Sequence, residues 1–242
     1  MPSLIPKPMH GWRSFVGEVG IIVLGVLIAL GAQQFASNRE QRLRAELSLA
    51  AVREELAIDM GVYDERTLQE PCITRRMEEM TRVLSDARRT RHLPIINEIG
   101  KSIARPTLRT AWQEASQSGD IHQWPTADRI AIATIYSQQQ PSDALTLQET
   151  GLWLRLQATE MMGGPVSDSD LSLLSDILGQ VRYYNWNNAI DAQQLVENIS
   201  ALGIVPKYHQ VIGPSATRTE VIAKVRASPI CQPLKTSSGP NP

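Results

Sequence analysis

Residues 15–32 read FVGEVGIIVLGVLIALGA, with one charge, Glu18, and none from Val19 to Ala32. At about 1.5 Å rise per residue, a helix over this run covers roughly 27 Å, close to a bilayer's hydrocarbon core of about 30 Å. The run is apolar all round, unlike the one-sided stripe of a soluble surface helix. Trp12 and Phe15 flank one end and Phe35 the other, where interfacial aromatics belong, and Gln33 and Gln34 mark the exit into water. No comparable run follows. The pattern predicts a tail over residues 1–13, a transmembrane helix over 14–34, and about 205 residues on one side of a lipid bilayer.

Directly behind the apolar run, residues 37–68 read SNREQRLRAELSLAAVREELAIDMGVYDERTL, rich in the helix formers Glu, Arg, Leu and Ala. One helix continuing from the span to about Leu68 is therefore expected. Leu43, Leu47, Ala50, Ala51 and Ile58 cluster on one side, and Leu49, Val52, Leu56, Met60 and Tyr63 on the opposite side. Two apolar faces imply a helix packed between others, with the charged positions between them read as solvated rims. Pro71 suits the first turn of a second helix, 72–89, whose apolar face is Ile73, Met77, Met80, Val83, Leu84 and Ala87.

An irregular stretch leads to a helix over 107–118, stopped by Gly119. Further helices are expected from Pro125 to about Gln138 and from Pro141 to the Gly163-Gly164-Pro165 stop. Ser167 is an N-cap for a long helix closed by Gly203, and Thr217 with Glu220 forms a capping box for the last helix. No period-2 strand pattern is convincing. The expectation is an all-α bundle over residues 35–228, continuous with the span, and a tail over 229–242 disordered beyond Cys231.

The short, basic start (Lys7, Arg13) also fits a signal peptide, but the cleavage candidate Ala29-Leu30-Gly31 is weak, which favours an uncleaved anchor. Arg39, Arg42, Arg44 and Arg53 beyond the span outnumber Lys7 and Arg13, which by charge alone puts the body inside. Two things push the other way. A first hydrophobic segment commonly acts as an export signal, and long domains cross largely regardless of charge. The body also holds two cysteines, Cys72 and Cys231, and an even count permits one disulfide in an oxidising compartment. A bridge would staple the tail and close a loop worth up to roughly 4–5 kcal/mol in the chain-entropy model. The body is accordingly expected in the periplasm.

At 20% charged and 42% hydrophobic, the chain is globular. Lys7, Arg13 and Glu18 aside, its 24 basic and 25 acidic residues become 22 and 24, so no strong field for nucleic acid exists and none is expected as partner. His10, His92, His122 and His209 lie far apart without metal-ligand spacing, and no nucleophile elbow, phosphate loop or dinucleotide fingerprint appears. No catalytic residue, cofactor or metal site is expected. Glu18, at the membrane edge, can snorkel to the headgroups or pair within the span. Gly25 and Ala29 make a small-xxx-small step that allows a homodimer. Tyr184, Asn185, Trp186 and Asn188 crowd one stretch of the long helix. They are either core packing with amides on the wet face or a ligand pocket completed by Trp112 or His122.

The segment WRSFVGEVGIIVLGVLIALGAQQ, the Arg/Glu/Leu helix behind it, Pro71-Cys72, TAWQEASQSG (Thr110 to Gly119), the Tyr136 region, Tyr184-Asn185-Trp186 and Cys231-Gln232-Pro233 resemble uncharacterised single-pass proteins of alphaproteobacteria. The resemblance covers most of the chain and is strongest in the membrane segment. It implies residence in the inner membrane of a Gram-negative cell and no particular chemistry. Two classes of function fit: a membrane-anchored interaction or sensing module that contacts other membrane or periplasmic proteins, or an anchored enzyme or small-ligand binder with a site built from scattered residues.

Overall fold

The computed structural model describes residues 12–237, with side chains from Phe15 onward. It is all-α. One helix, α1, runs from Trp12 to Thr90 without interruption, 79 residues or about 120 Å. It is followed by α2 (Thr110–Ser118), α3 (Thr126–Gln157), α4 (Asp168–Ser200) and α5 (Arg218–Ala227). Four two-residue strands fasten loops to one another. β1 (His92–Leu93) pairs antiparallel with β3 (Gly164–Pro165), and β2 (Ile95–Ile96) with β4 (Thr236–Ser237).

α4 packs on both α1 and α3. α3 runs parallel to α1, since Tyr136, Gln139 and Glu149 meet Glu55, Asp59 and Arg66 in ascending order. α4 runs antiparallel, with Asn185 at Arg66 and Arg182 at Thr81. Two apolar cores lie along this bundle. The one nearer the N-terminal end of α1 is built on Val52, Leu56, Ile132, Ile135, Leu195 and Ile199. The far one is built on Ile73, Met80, Trp153, Leu156, Val181 and Val221.

The helix signals at the ends of elements are realised. Gly119 takes φ +80° at the end of α2, and Gly203 takes φ +70° just past α4. Capping boxes form at Ser167–Asp170 and Thr217–Glu220. The two prolines read as helix starts are not starts: Pro71 lies inside α1 and Pro141 inside α3. An interior proline costs about 3 kcal/mol. Burying a single Ile or Met side chain offsets about 1.5–3 kcal/mol, and Ile73, Met77 and Met80 are all buried just beyond Pro71.

The two-faced reading of α1 is corrected. Val52, Leu56, Met60 and Tyr63 are buried, but on the other face Leu43 and Leu47 are exposed. The charged positions are corrected as well, because Glu55, Asp59, Asp64, Glu65, Arg66 and Arg76 are buried rather than solvated. The tail is ordered past Cys231: Thr236 and Ser237 form β4, held by backbone pairing to β2. Residues 238–242, like the tail before Trp12, lie outside the described residues.

Cys72 and Cys231 are disulfide-bonded, with Cα atoms 4.7 Å apart, within the usual span for a bridge. Arg76, fully buried, reinforces the staple by donating to the carbonyls of Glu98 (2.9 Å), Pro229 (3.1 Å) and Gln232. Gly61 admits the chain that leaves α4. A Cβ there would lie 2.1 Å from the Lys207 carbonyl oxygen, and the Lys207 N–H donates to the Ala57 carbonyl at 2.8 Å.

Candidate functional site

Between the two cores lies a layer of buried polar side chains contributed by all three long helices. Arg66 of α1 donates to Glu149 Oε2 of α3 (3.3 Å), to Asn185 Oδ1 of α4 (2.7 Å) and to Glu70 (3.3 Å). Glu149, 1% exposed, also accepts from Asn188 Nδ2 (2.6 Å) and from the indole of Trp153 (3.0 Å). Asn185 Nδ2 donates to Glu70 Oε1 (2.9 Å), and the Thr146 hydroxyl to Asn188 Oδ1 (3.4 Å). Each carboxylate therefore faces a guanidinium or amide, as a charge must when removed from water.

The same face of α1 holds the segment between β2 and α2, which runs antiparallel along it. Glu55 accepts from the N–H groups of Ala111 (2.8 Å) and Trp112 (3.3 Å), so it caps α2 from another helix, and also from Tyr136 Oη (2.6 Å). Asp59 accepts from the Leu108 N–H (2.8 Å) and Gln139 Nε2 (2.9 Å). Glu65 takes a two-point bond from Arg105, and Gln69 accepts from the Ile103 N–H (3.0 Å). Asp64 turns the other way and accepts from Tyr208 Oη (2.8 Å) and Arg218 (2.9 and 3.0 Å), anchoring the start of α5.

Burial pushes the Asp59 carboxyl up to about 7, against the pull of the Leu108 and Gln139 hydrogen bonds, and the negative charges of Glu55 and Asp143 add to the rise. Burial, together with its bond to Glu55, also raises the Tyr136 phenol well above the usual range. Sequence reasoning missed this network because it assigned charge on α1 to water. The available signal was phase: Asp59, Arg66, Gln69 and Arg76 fall on the stripe that Val52, Leu56, Ile73, Met77 and Met80 define.

The structure brings only part of the sequence-predicted pocket together. Asn185 and Asn188 belong to the buried layer, while Tyr184 packs half-buried on the far core. Trp186 is exposed on the rim of an open groove of about 430 Å³ between α1 and α4, where Asn185, Glu70, Met77 and Ile190 also lie. Trp112 does not join them. It stacks on Tyr136 in the other core, ring centroids 4.9 Å apart. His122 is exposed in a short 3₁₀ helix, and neighbouring Asp120 accepts from the Ser118 hydroxyl (2.8 Å).

Glu18, Gly25, Ala29 and Phe35 are all exposed, and nothing lies within 4 Å of a Cβ built on Gly25. Phe15 is exposed as well, and the Trp12 side chain lies outside the described residues. Among the described residues, no three His, Cys, Asp or Glu side chains are grouped to hold a metal ion.

No family model matches the chain, and neither does any curated protein or solved structure. Fold and site together define a class: an all-α protein with one N-terminal helix long and apolar enough to cross a membrane, its body tied by a disulfide and a buried polar layer.

Proposed function

We propose that this protein is a single-pass, membrane-anchored helical interaction or sensing module. Residues 14–34 sit in the inner membrane, the body lies in the periplasm, and the protein works by contacts with other membrane or periplasmic proteins rather than by catalysis. The apolar segment supports this most. In the described structure all eighteen of its residues, 15–32, are exposed, a contiguous apolar surface that water disfavours and a bilayer suits. The Cys72–Cys231 disulfide favours an oxidising compartment for the body. The open groove beside Trp186 favours a second reading, in which the anchored body binds a small ligand. Gly25 and Ala29, bare on the span, suit a homodimer.

Fractionation tests the anchor. The full chain is expected in the inner membrane after carbonate washing, and a soluble protein beginning near Ala32 or Gln33 would overturn it. A phosphatase fused after Pro242 is expected to be active. An inactive fusion together with an active cytoplasmic reporter would reverse the orientation. Cross-linking of the full-length chain in membranes is expected to capture protein partners through the body.

A further inference from the structure

We propose that a second groove, between the far halves of α1 and α4, is a binding site for a small soluble oxyanion, a phosphate or carboxylate group on a compact body. The groove encloses about 330 Å³, within the range of small-molecule sites. Thr81, Ser85 and Arg88 of α1 form one wall and Ser175, Gly179 and Arg182 of α4 the other, over a floor of Leu84 and Leu178. No carboxylate lines it.

The two arginines stand apart from their neighbours. Arg89 is paired with Asp86 (2.5 Å) and Arg91 with Asp168. Among the described residues, Arg88 makes no ion pair, though its charge helps to hold the Asp168 carboxyl, already bound by Arg91, below the usual carboxylate range, and Arg182 donates only to the Thr81 hydroxyl (3.2 Å). Because the helices are antiparallel, the arrangement repeats in mirror order. Arg182 faces Thr81 at one level, and seven residues on, about 10 Å along the axes, Ser175 comes level with Arg88. Each end thus offers one guanidinium and one hydroxyl from opposite walls. Midway, nothing lies within 4 Å of a Cβ built on Gly179, so the space between the two guanidiniums is open. Arginine forks over hydroxyl donors are the chemistry that recognises phosphate and carboxylate oxygens.

The position selects a soluble ligand. Arg88 lies 56 residues beyond Ala32 on the same helix, about 84 Å of helical rise, so headgroups around the apolar segment are far out of reach. The proposal does not depend on membrane placement and fails or stands separately from it.

Calorimetric titration of the full-length chain in detergent micelles tests this, with inorganic phosphate and succinate as probes. Saturable binding of at least one probe is expected, weakened by added salt. Arg88→Gln and Arg182→Gln are each expected to weaken it about tenfold or more. Gly179→Val, which fills the groove without changing charge, is expected to do the same, whereas Arg89→Gln leaves binding intact. All four positions are exposed, so circular dichroism is expected to show unchanged folding. A preference between the probes assigns the anion class. Absence of binding by both, or binding that survives Arg88→Gln and Arg182→Gln, would overturn the site.

Discussion

Among the described residues, Asp59 makes no ion pair. Its partners are the Leu108 N–H and the Gln139 amide, and the negative charges of Glu55 and Asp143 act on it. In the folded chain it takes up a proton as pH falls through about 7, but in the unfolded chain only near its ordinary value of 3.8. Between these values the folded state binds more protons, so the contribution of Asp59 to stability grows as pH falls from 7 towards 4. The slope approaches about 1.4 kcal/mol per pH unit. Asp59→Asn is expected to flatten that dependence, because a neutral amide can pair with Gln139 at every pH. Denaturation midpoints measured from pH 5 to 8 on both proteins check this, and a wild type whose stability rises steadily with pH over that range would contradict it. Glu149, by contrast, has a cation among its partners: it accepts from Arg66 as well as from Trp153 and Asn188.

At the scale of elements, the disulfide and Arg76 act on the same stretch of chain. Arg76 gathers carbonyls from both sides of Cys231, so the segment from Ser228 to Ser237 is held to α1 by covalent and polar ties together. Closing a loop of 159 residues is worth roughly 4–5 kcal/mol in the chain-entropy model. Cys72→Ser or Cys231→Ser is expected to lower the melting temperature and to open the β2–β4 pairing to hydrogen exchange. In the wild type, both thiols are expected to resist alkylation until reduced, and two freely reactive thiols would refute the bridge. Element ends were legible in the sequence wherever one residue's chemistry decides the outcome, as at Ser167, Thr217, Gly119 and Gly203. Pro71 and Pro141 were misread because a local penalty competes there with burial supplied by distant residues. The buried layer was illegible for a related reason. A charged residue in phase with an apolar stripe looks like an interruption until Glu149, Asn185 and Asn188 arrive from other helices to meet it.

In the whole molecule, the two cores are joined by continuous helices, since α1, α3 and α4 each contribute to both or to the layer between them. No linker separates them, so neither core can lose its helices without dragging on the other. A single cooperative transition is expected, with tryptophan fluorescence, reporting Trp153 in one core and Trp124 in the other, coinciding with helical circular dichroism. Separated transitions would show two independent units. The unbroken α1 has a mechanical consequence. With no joint between the apolar segment and the body, the helix is a lever whose short arm is the segment and whose long arm is the 58 residues beyond Ala32, to Thr90. In the proposed anchor, a tilt of about 20°, ordinary for a spanning helix, swings the far tip sideways by about 30 Å, so small rocking in the bilayer becomes a large sweep at the Arg88–Arg182 end.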